Sequence, residues 1–425
     1  MMKAELEKPA QTILILGGGS CQLEAIYRVR RMGFRTAVAS NDPACPGRRA
    51  ADIFLEVSTF DIEGIHRAAG DIRADGILVV GTDQPVAVAA EVSEKRGLPS
   101  FLSAEAALNV TNKRRMKSLL TDRNIPMNPY RICTLDVLET AAKDLRPPFV
   151  VKPLDSQGQR GVYLAGTVKE AADRARETLS FSREMTLCME EYYPSGEITA
   201  SCWSREGELF LLSATDRLSF FHPPYIGICN AHIFPSRFLP DLTEEIYDLC
   251  CKSAEACGIT EGPVYVQLLR GKEGLRVNEI AARIGGAYED VFIPRIEGFD
   301  ILEANIRGVL GERVEPPDRR IFSFPPNTYI TSQLFYLSPG EVRKVTPMEE
   351  VRGIPGVLEL FTAVRPGDMM RPVVSSSQRA GFIVIAGESR RELNSRITEV
   401  YRRFRIEDGE GEQMILPFPR ISGAD

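Results

Sequence analysis

Residues 262–286 read GPVYVQLLRGKEGLRVNEIAARIGG, and this stretch limits the fold more tightly than any other part of the chain. An alternating run, Val264-Tyr265-Val266-Gln267-Leu268-Leu269, leads into Gly271-Lys272-Glu273-Gly274. A second run, Leu275-Arg276-Val277-Asn278-Glu279-Ile280, leaves it. Period-two alternation on both sides of a glycine-bounded turn predicts an antiparallel hairpin. Facing side chains on such strands meet in pairs, so Gln267 and Glu279 can share one face, with Arg283 just beyond. An amide oxygen, a carboxylate and a guanidinium suit a magnesium ion that carries a polyphosphate, because magnesium prefers hard oxygens and shares its shell with substrate phosphates. An exposed hairpin with ordinary polar residues fits the same letters, so the upstream context decides.

The chain has 425 residues, enough for about three domains at roughly 150 residues each. Its net charge of -6 argues against a dedicated nucleic-acid binder, which would concentrate basic surface. The nine cysteines are scattered without a CxxC spacing, which fits small apolar residues in a reducing compartment. Cys229 and His232 have a spacing that zinc uses, but no second pair completes a tetrahedral set. The N-terminus, MMKAELEKPAQ, lacks an apolar signal region, and no window reaches the roughly 18 apolar residues of a membrane span. The expectation is a cytoplasmic protein with neither nucleic-acid nor membrane partners.

Three short apolar runs, Thr12–Leu16, Thr36–Ala39 and Gly76–Val80, alternate with helical segments, which predicts a parallel sheet covered by helices. Near Lys113 the pattern changes to a basic helix, and Pro126 and Pro129 end it. A strand at Phe149–Lys152 opens a loop containing Ser156, Gly158 and Gly161. A helix near Lys169–Leu179 and a strand ending at Glu190 follow. Prolines 316, 317, 325 and 326 mark a boundary before a C-terminal portion with a strand at Gly381–Ala386 and a charged helix.

Two glycine loops carry candidate chemistry. Gly17 and Gly19 match the first two positions of a dinucleotide fingerprint, with Asp42 as a ribose-binding acid, but Gln22 stands at the third glycine. An oxidoreductase using NAD is therefore one reading, and a tight turn without nucleotide is another. The second loop follows Lys152 directly. Its backbone N–H groups can cradle phosphates while the lysine neutralises their charge, although a solvated surface hairpin has the same composition. The strand end Glu190-Glu191-Tyr192-Tyr193 can pair with an adenine edge, and Glu197 comes soon after. No serine–histidine–acid or cysteine–histidine set points to a nucleophile, which leaves phosphoryl transfer by positioning and charge neutralisation.

In this order, the features resemble the ATP-grasp superfamily across nearly the whole chain, and most of all its carboxylate–amine ligases, including L-amino acid ligases. Carbamoyl phosphate synthase, biotin carboxylase and the purine-pathway ligases are related. The resemblance implies an α/β protein with a Rossmann-like parallel-sheet domain at 1–112. An ATP-grasp domain at 113–315 would carry a mobile α+β lid at about 125–190, with a C-terminal α+β domain at 316–425. It implies ATP with Mg2+, or Mn2+ as the alternative ion, and allows a homodimer. Lys113 and Lys152 would be the two ATP lysines, and Ser156, Gly158 and Gly161 the lid loop. Glu190, Glu191 and Tyr193 would form the adenine hinge, and Glu197 would approach the ribose. Gln267 and Glu279 would hold magnesium, and Arg283 would steady the transferred phosphate. Two positions depart from the pattern: Ala281 replaces an asparagine metal ligand, and Gln159 replaces a serine in the lid loop.

The implied reaction joins a small carboxylate, activated as an acyl phosphate, to an amine, with ADP and phosphate released. Ligation of phosphoribosylamine to glycine, or a carbamoyl-phosphate-type activity, is the alternative within the superfamily. A non-catalytic ATP-binding regulator is the alternative outside catalysis. Phe220-Phe221-His222-Pro223-Pro224-Tyr225 is a candidate substrate wall, and Arg295 and Arg307 are candidate carboxylate anchors.

Overall fold

A computed structural model describes residues 10–418. Four strands, β1 (Thr12–Leu16), β2 (Arg35–Ala39), β3 (Ile53–Leu55) and β4 (Gly76–Leu78), form a parallel sheet in the order β3-β2-β1-β4. β1 is buried along its whole length, as expected of a strand with helices on both faces. The β4 ladder stops at Leu78, short of the expected Val80. Beyond it, Val80 O accepts from Gln22 Nε2 at 2.6 Å and Gly81 N donates to Ile284 O at 3.1 Å, so the chain turns away to meet the loop after the hairpin.

A second unit contains β5 (Tyr130–Cys133), β6 (Phe149–Pro153), β7 (Tyr163–Ala165) and β8 (Leu187–Glu191), paired antiparallel in the order β7-β6-β8-β5. The helix Val168–Leu179 covers it, starting where the Thr167 side chain accepts from Glu170 N. Leu138, Phe149, Val151, Ala171, Ala175 and Met189 give this unit a core of its own.

The central sheet is built from β9 (Ser195–Arg205), β10 (Glu208–His222), β11 (Tyr225–Phe234), β12 (Gly262–Gly271) and β13 (Gly274–Ala281), in the order β13-β12-β9-β10-β11. One residue pair, Tyr225 with Tyr163, links its β11 edge to β7. The C-terminal portion extends the same sheet, because β14 (Tyr329–Phe335) pairs with both β11 and the strand Gly381–Gly387. No helix among the described residues is long and apolar enough to cross a membrane.

Trp203 fixes the contact between the central sheet and the segment that follows the parallel sheet. It is fully buried on β9, with Phe101 edge-on at 5.4 Å and Phe299 at 5.3 Å between ring centroids. Phe101 fits because Gly308 lies against it; a Cβ there would stand 1.9 Å from Phe101 Cζ. Trp203→Ala would leave a large void among rigid rings and is expected to cost about 3–5 kcal/mol. Urea denaturation followed by far-UV circular dichroism checks this, since Trp203 is the chain's one tryptophan.

Candidate active site

The hairpin turns through Lys272-Glu273, with Gly271 opposite Gly274, and Gly274 has φ +101°, a conformation that glycine reaches without strain. Tyr193 explains the other glycine. A Cβ on Gly271 would lie 2.3 Å from Tyr193 Cζ. The Tyr193 hydroxyl donates to Gly274 O and accepts from Glu273 N, both at 3.0 Å. The Arg276 guanidinium stands 4.0 Å from its ring centroid. The segment after β8 is thereby fastened to the hairpin tip.

Gln267 and Glu279 are cross-strand partners. The next pair is Leu268 with Val277, so the ladder slips and Asn278 is the extra residue of a β-bulge. Bulges re-aim side chains, and here Gln267, Asn278 and Glu279 all line one cleft. Asn278 Nδ2 donates to Gln267 Oε1 at 3.2 Å. Three oxygen-bearing side chains thus gather where the pattern showed two.

Cations surround this group. The Asn112 side chain accepts from Arg114 N and Arg115 N, which caps the helix Lys113–Asp122. Lys113 Nζ, on its first turn, donates to Ser156 O at 3.1 Å and lies 3.4 Å from Glu279 Oε1. Lys152 on β6 and Lys117 one helical turn past Lys113 grip Glu190 Oε1 at 2.7 and 2.8 Å, and all three are buried. Burial opposes the charge on Glu190, but the two ammonium groups prevail and lower its pKa to about 2. Burial likewise opposes the charge on Glu279, and Lys113, Lys152 and Arg283 together hold its pKa below the usual range. Arg283 Nε donates to Asp83 Oδ1 at 2.6 Å, and its guanidinium lies 4.6 Å from the Tyr265 ring centroid.

The loop after β6 contributes polar backbone. Ser156 Oγ is buried without a hydrogen-bond partner among the described residues. Gly158 has φ +68°, and its carbonyl accepts from Ser376 N at 3.1 Å. Gln159, at the position where serine was expected, has φ +55° and also lines the cleft. Gly161 does not line it. Its carbonyl accepts from Thr178 Oγ1 at 3.0 Å, and a Cβ would stand 2.8 Å from Phe181, so this glycine serves packing against the helix end. Gln157 Oε1 accepts from Asp83 N at 2.6 Å and Gln84 N at 3.1 Å, which joins the loop to the parallel-sheet unit.

The expected hinge divides its roles. Glu190 points inward to the lysines. Glu191 points outward to Arg146 at 3.1 Å, and its N–H is committed to Pro129 O at 2.9 Å. Tyr193 N–H makes no hydrogen bond among the described residues, and Tyr193 lines the cleft. Glu197 is ion-paired with buried Arg217 and accepts from Ser219 Oγ at 3.3 Å.

The cleft encloses about 570 Å³ and runs from Tyr193 and Glu197, past Lys152 and the hairpin, to the first glycine turn. There Gln22 folds under Gly17, while Asp42 accepts from Ala44 N in an exposed local turn. Phe220 lines the cleft, His222 is exposed outside it, and the Phe221 side chain lies outside the described residues. Arg295 donates to Val291 O on its own helix, and Arg307 pairs with Glu303 and Glu312; neither lines the cleft. Asp83, Lys117, Asn278, Arg217 and Arg379 belong to the site without having been singled out from sequence.

Solved structures with the same architecture identify it. The L-amino acid ligase from Bacillus licheniformis superposes with a TM-score of 0.79 at 18% identity, covering 94% of this chain and 99% of that one. The fold is ATP-grasp. Residues 333–408 match the family model for the L-amino acid ligase C-terminal domain 2. An L-arginine-specific L-amino acid ligase of Bacillus subtilis is 24% identical over 73% of this chain and 75% of its own length. A phosphoribosylamine–glycine ligase of Leifsonia xyli subsp. xyli is 23% identical over 94% and 97% respectively.

Removing the Glu190 charge would leave two buried ammonium groups uncompensated in this ATP-grasp cleft. Glu190→Gln is expected to cost about 3–5 kcal/mol at pH 7. The folded pKa of about 2 lies below the ordinary 4.5, so the contribution is complete above pH 4.5 and fades as pH falls toward 2. Urea midpoints of both proteins at pH 7, 4 and 3 should therefore converge on acidification.

Proposed function

We propose that the protein is an ATP-dependent ligase that activates a small carboxylate as its acyl phosphate and joins it to an amine. The observation that carries this reading is the pairing of Gln267 with Glu279 in the same cleft as Lys113, Lys152 and Arg283. The donor set fits a nucleotide triphosphate with a divalent ion. The free Tyr193 N–H suits a base edge, the unpartnered Ser156 hydroxyl and the two lysines suit phosphate, and the Gln267, Asn278 and Glu279 oxygens suit magnesium.

In this reading Gln267 and Glu279 would hold Mg2+, which would neutralise phosphate oxygens. A carboxylate oxygen attacks the γ-phosphorus and ADP leaves. The amine then attacks the acyl carbon, loses its proton and releases phosphate. Lys152 and Arg283 bear on the transferring phosphoryl group, and their fixed positions mean that little reorganisation is needed during transfer. Residues 125–190 act as a lid that keeps water from the acyl phosphate.

Phosphate release, screened over pairs of amino acids and other carboxylates, tests the proposal. Lys152→Ala and Glu279→Gln are each expected to lower the rate about 10²–10³-fold. EDTA should abolish it, with Mg2+ or Mn2+ restoring it. Phosphate release unaffected by either substitution would overturn the assignment. The match to the phosphoribosylamine–glycine ligase along nearly both full lengths supports a second reading, in which glycine and phosphoribosylamine are the substrates. Product identification with that pair separates the two. A non-hydrolysable ATP analogue should slow proteolysis within 125–190.

A further inference from the structure

Arg379 enters the cleft from the C-terminal portion, between the first glycine turn and the loop after the hairpin. Its Nη1 donates to Gly286 O at 2.7 Å and lies 3.6 Å from Cys21 Sγ, while Tyr288 presents its ring 5.9 Å away. Its Nε is buried with no hydrogen-bond partner among the described residues, and no carboxylate there lies within ion-pair distance. Of the other cleft arginines, Arg283 has Asp83 and Arg217 has Glu197, while Arg160 on the loop after β6 turns back to donate to Gln157 O at 3.2 Å. The neighbouring acid, Glu289, instead accepts from Ala287 N at 3.0 Å and packs against Gly285.

The Arg379 side chain is half-buried on the cleft wall with no ion-pair partner among the described residues, and a planar guanidinium is shaped to receive a carboxylate through two parallel hydrogen bonds. The local field favours an anion as well. Arg217 and Arg379, added to burial, push His232 well below its usual pKa. The loop that carries Arg379 is ordered by a capping box, with Gln378 Oε1 accepting from Val374 N and Ser375 N at 2.8 and 2.9 Å. Ser376 N, on the same loop, bonds the lid residue Gly158.

We infer that Arg379 is the receptor for a carboxylate group of a small-molecule substrate, at the end of the cleft formed by Cys21, Gly286, Ala287 and Ser377. The inference rests on the ligase reading for the reaction, but the binding it describes can be measured without turnover. Two sources share this chemistry: the carboxylate to be activated, and the spectator carboxylate of an amino acid that serves as the amine.

The test is thermal denaturation of wild type, R379K and R379Q in saturating ADP and Mg2+. The ligands are the twenty L-amino acids and short mono- and dicarboxylates, followed by the carboxamides of those that bind. At least one acid is expected to raise the wild-type Tm while its carboxamide does not. R379Q should weaken that binding tenfold or more, and R379K less. Retained binding in R379Q, equal binding of the carboxamide, or no acid binding to wild type would each overturn the assignment. An R379Q chain that fails to bind ADP has misfolded, and R379K with the carboxamide comparison then decides.

Hydroxylamine trapping separates the two sources. A raised KM for the acid in hydroxamate formation marks the activated carboxylate. An unchanged hydroxamate reaction with a raised KM for the amino-acid nucleophile marks the spectator. Acid binding that depends on Arg379, without hydroxamate or phosphate release, would defeat the ligase reading while leaving this assignment standing. Turnover with acid binding indifferent to Arg379 would do the reverse.

Discussion

Charge compensation away from water organises this molecule. Glu190 is a single carboxylate shared by two buried lysines on different elements, one on β6 and one on the helix Lys113–Asp122. Neither ammonium group would remain there without it. Adding Lys113 and Arg283 with their partners Glu279 and Asp83 gives four cations against three carboxylates. The surplus faces the cleft. Under the proposed function a polyphosphate would supply the missing negative charge, so the same pairing that stabilises the folded chain would leave a binding site for an anion.

Backbone irregularities place these charges. The bulge at Asn278 lets successive residues of β13 address one cleft, which a regular strand with its two-residue alternation would forbid. Tyr193 fastens the segment after β8 to the hairpin tip, and Gly271 leaves room for its ring. Gln157 reaches from the loop after β6 to the backbone of Asp83, the residue that orients Arg283. Three units of the chain therefore set the position of one guanidinium.

Much of this was legible where the information is local. The hairpin announced itself through alternation and its glycine-bounded turn, and the register of Gln267 with Glu279 followed. Lys152 was legible as a lysine ending an apolar strand before a glycine loop. β9 and β10 were not, because both faces of each are largely buried and the alternation that marks a half-exposed strand is missing. The bulge was invisible, since one slipped rung leaves no mark in composition. Asp83 and Arg283 stand 200 positions apart, and Arg379 and Gly286 stand 93 apart. Such pairs arise from topology, and one sequence does not display it. Glu190 and Glu191 show the same limit on a smaller scale. They are adjacent acids, and only the pleat sends one to the lysines and the other to Arg146.

The meeting of Tyr225 with Tyr163 has a mechanical meaning. A broad ladder between the β5–β8 unit and β11 would resist twisting, because every rung would have to shear at once. Here one paired rung and the neighbouring bond from Leu164 N to Pro224 O, at 2.8 Å, make up the backbone joint. Any displacement of the smaller sheet relative to β11 would load this rung before the long β9–β12–β13 ladders that hold the Gln267–Glu279 pair.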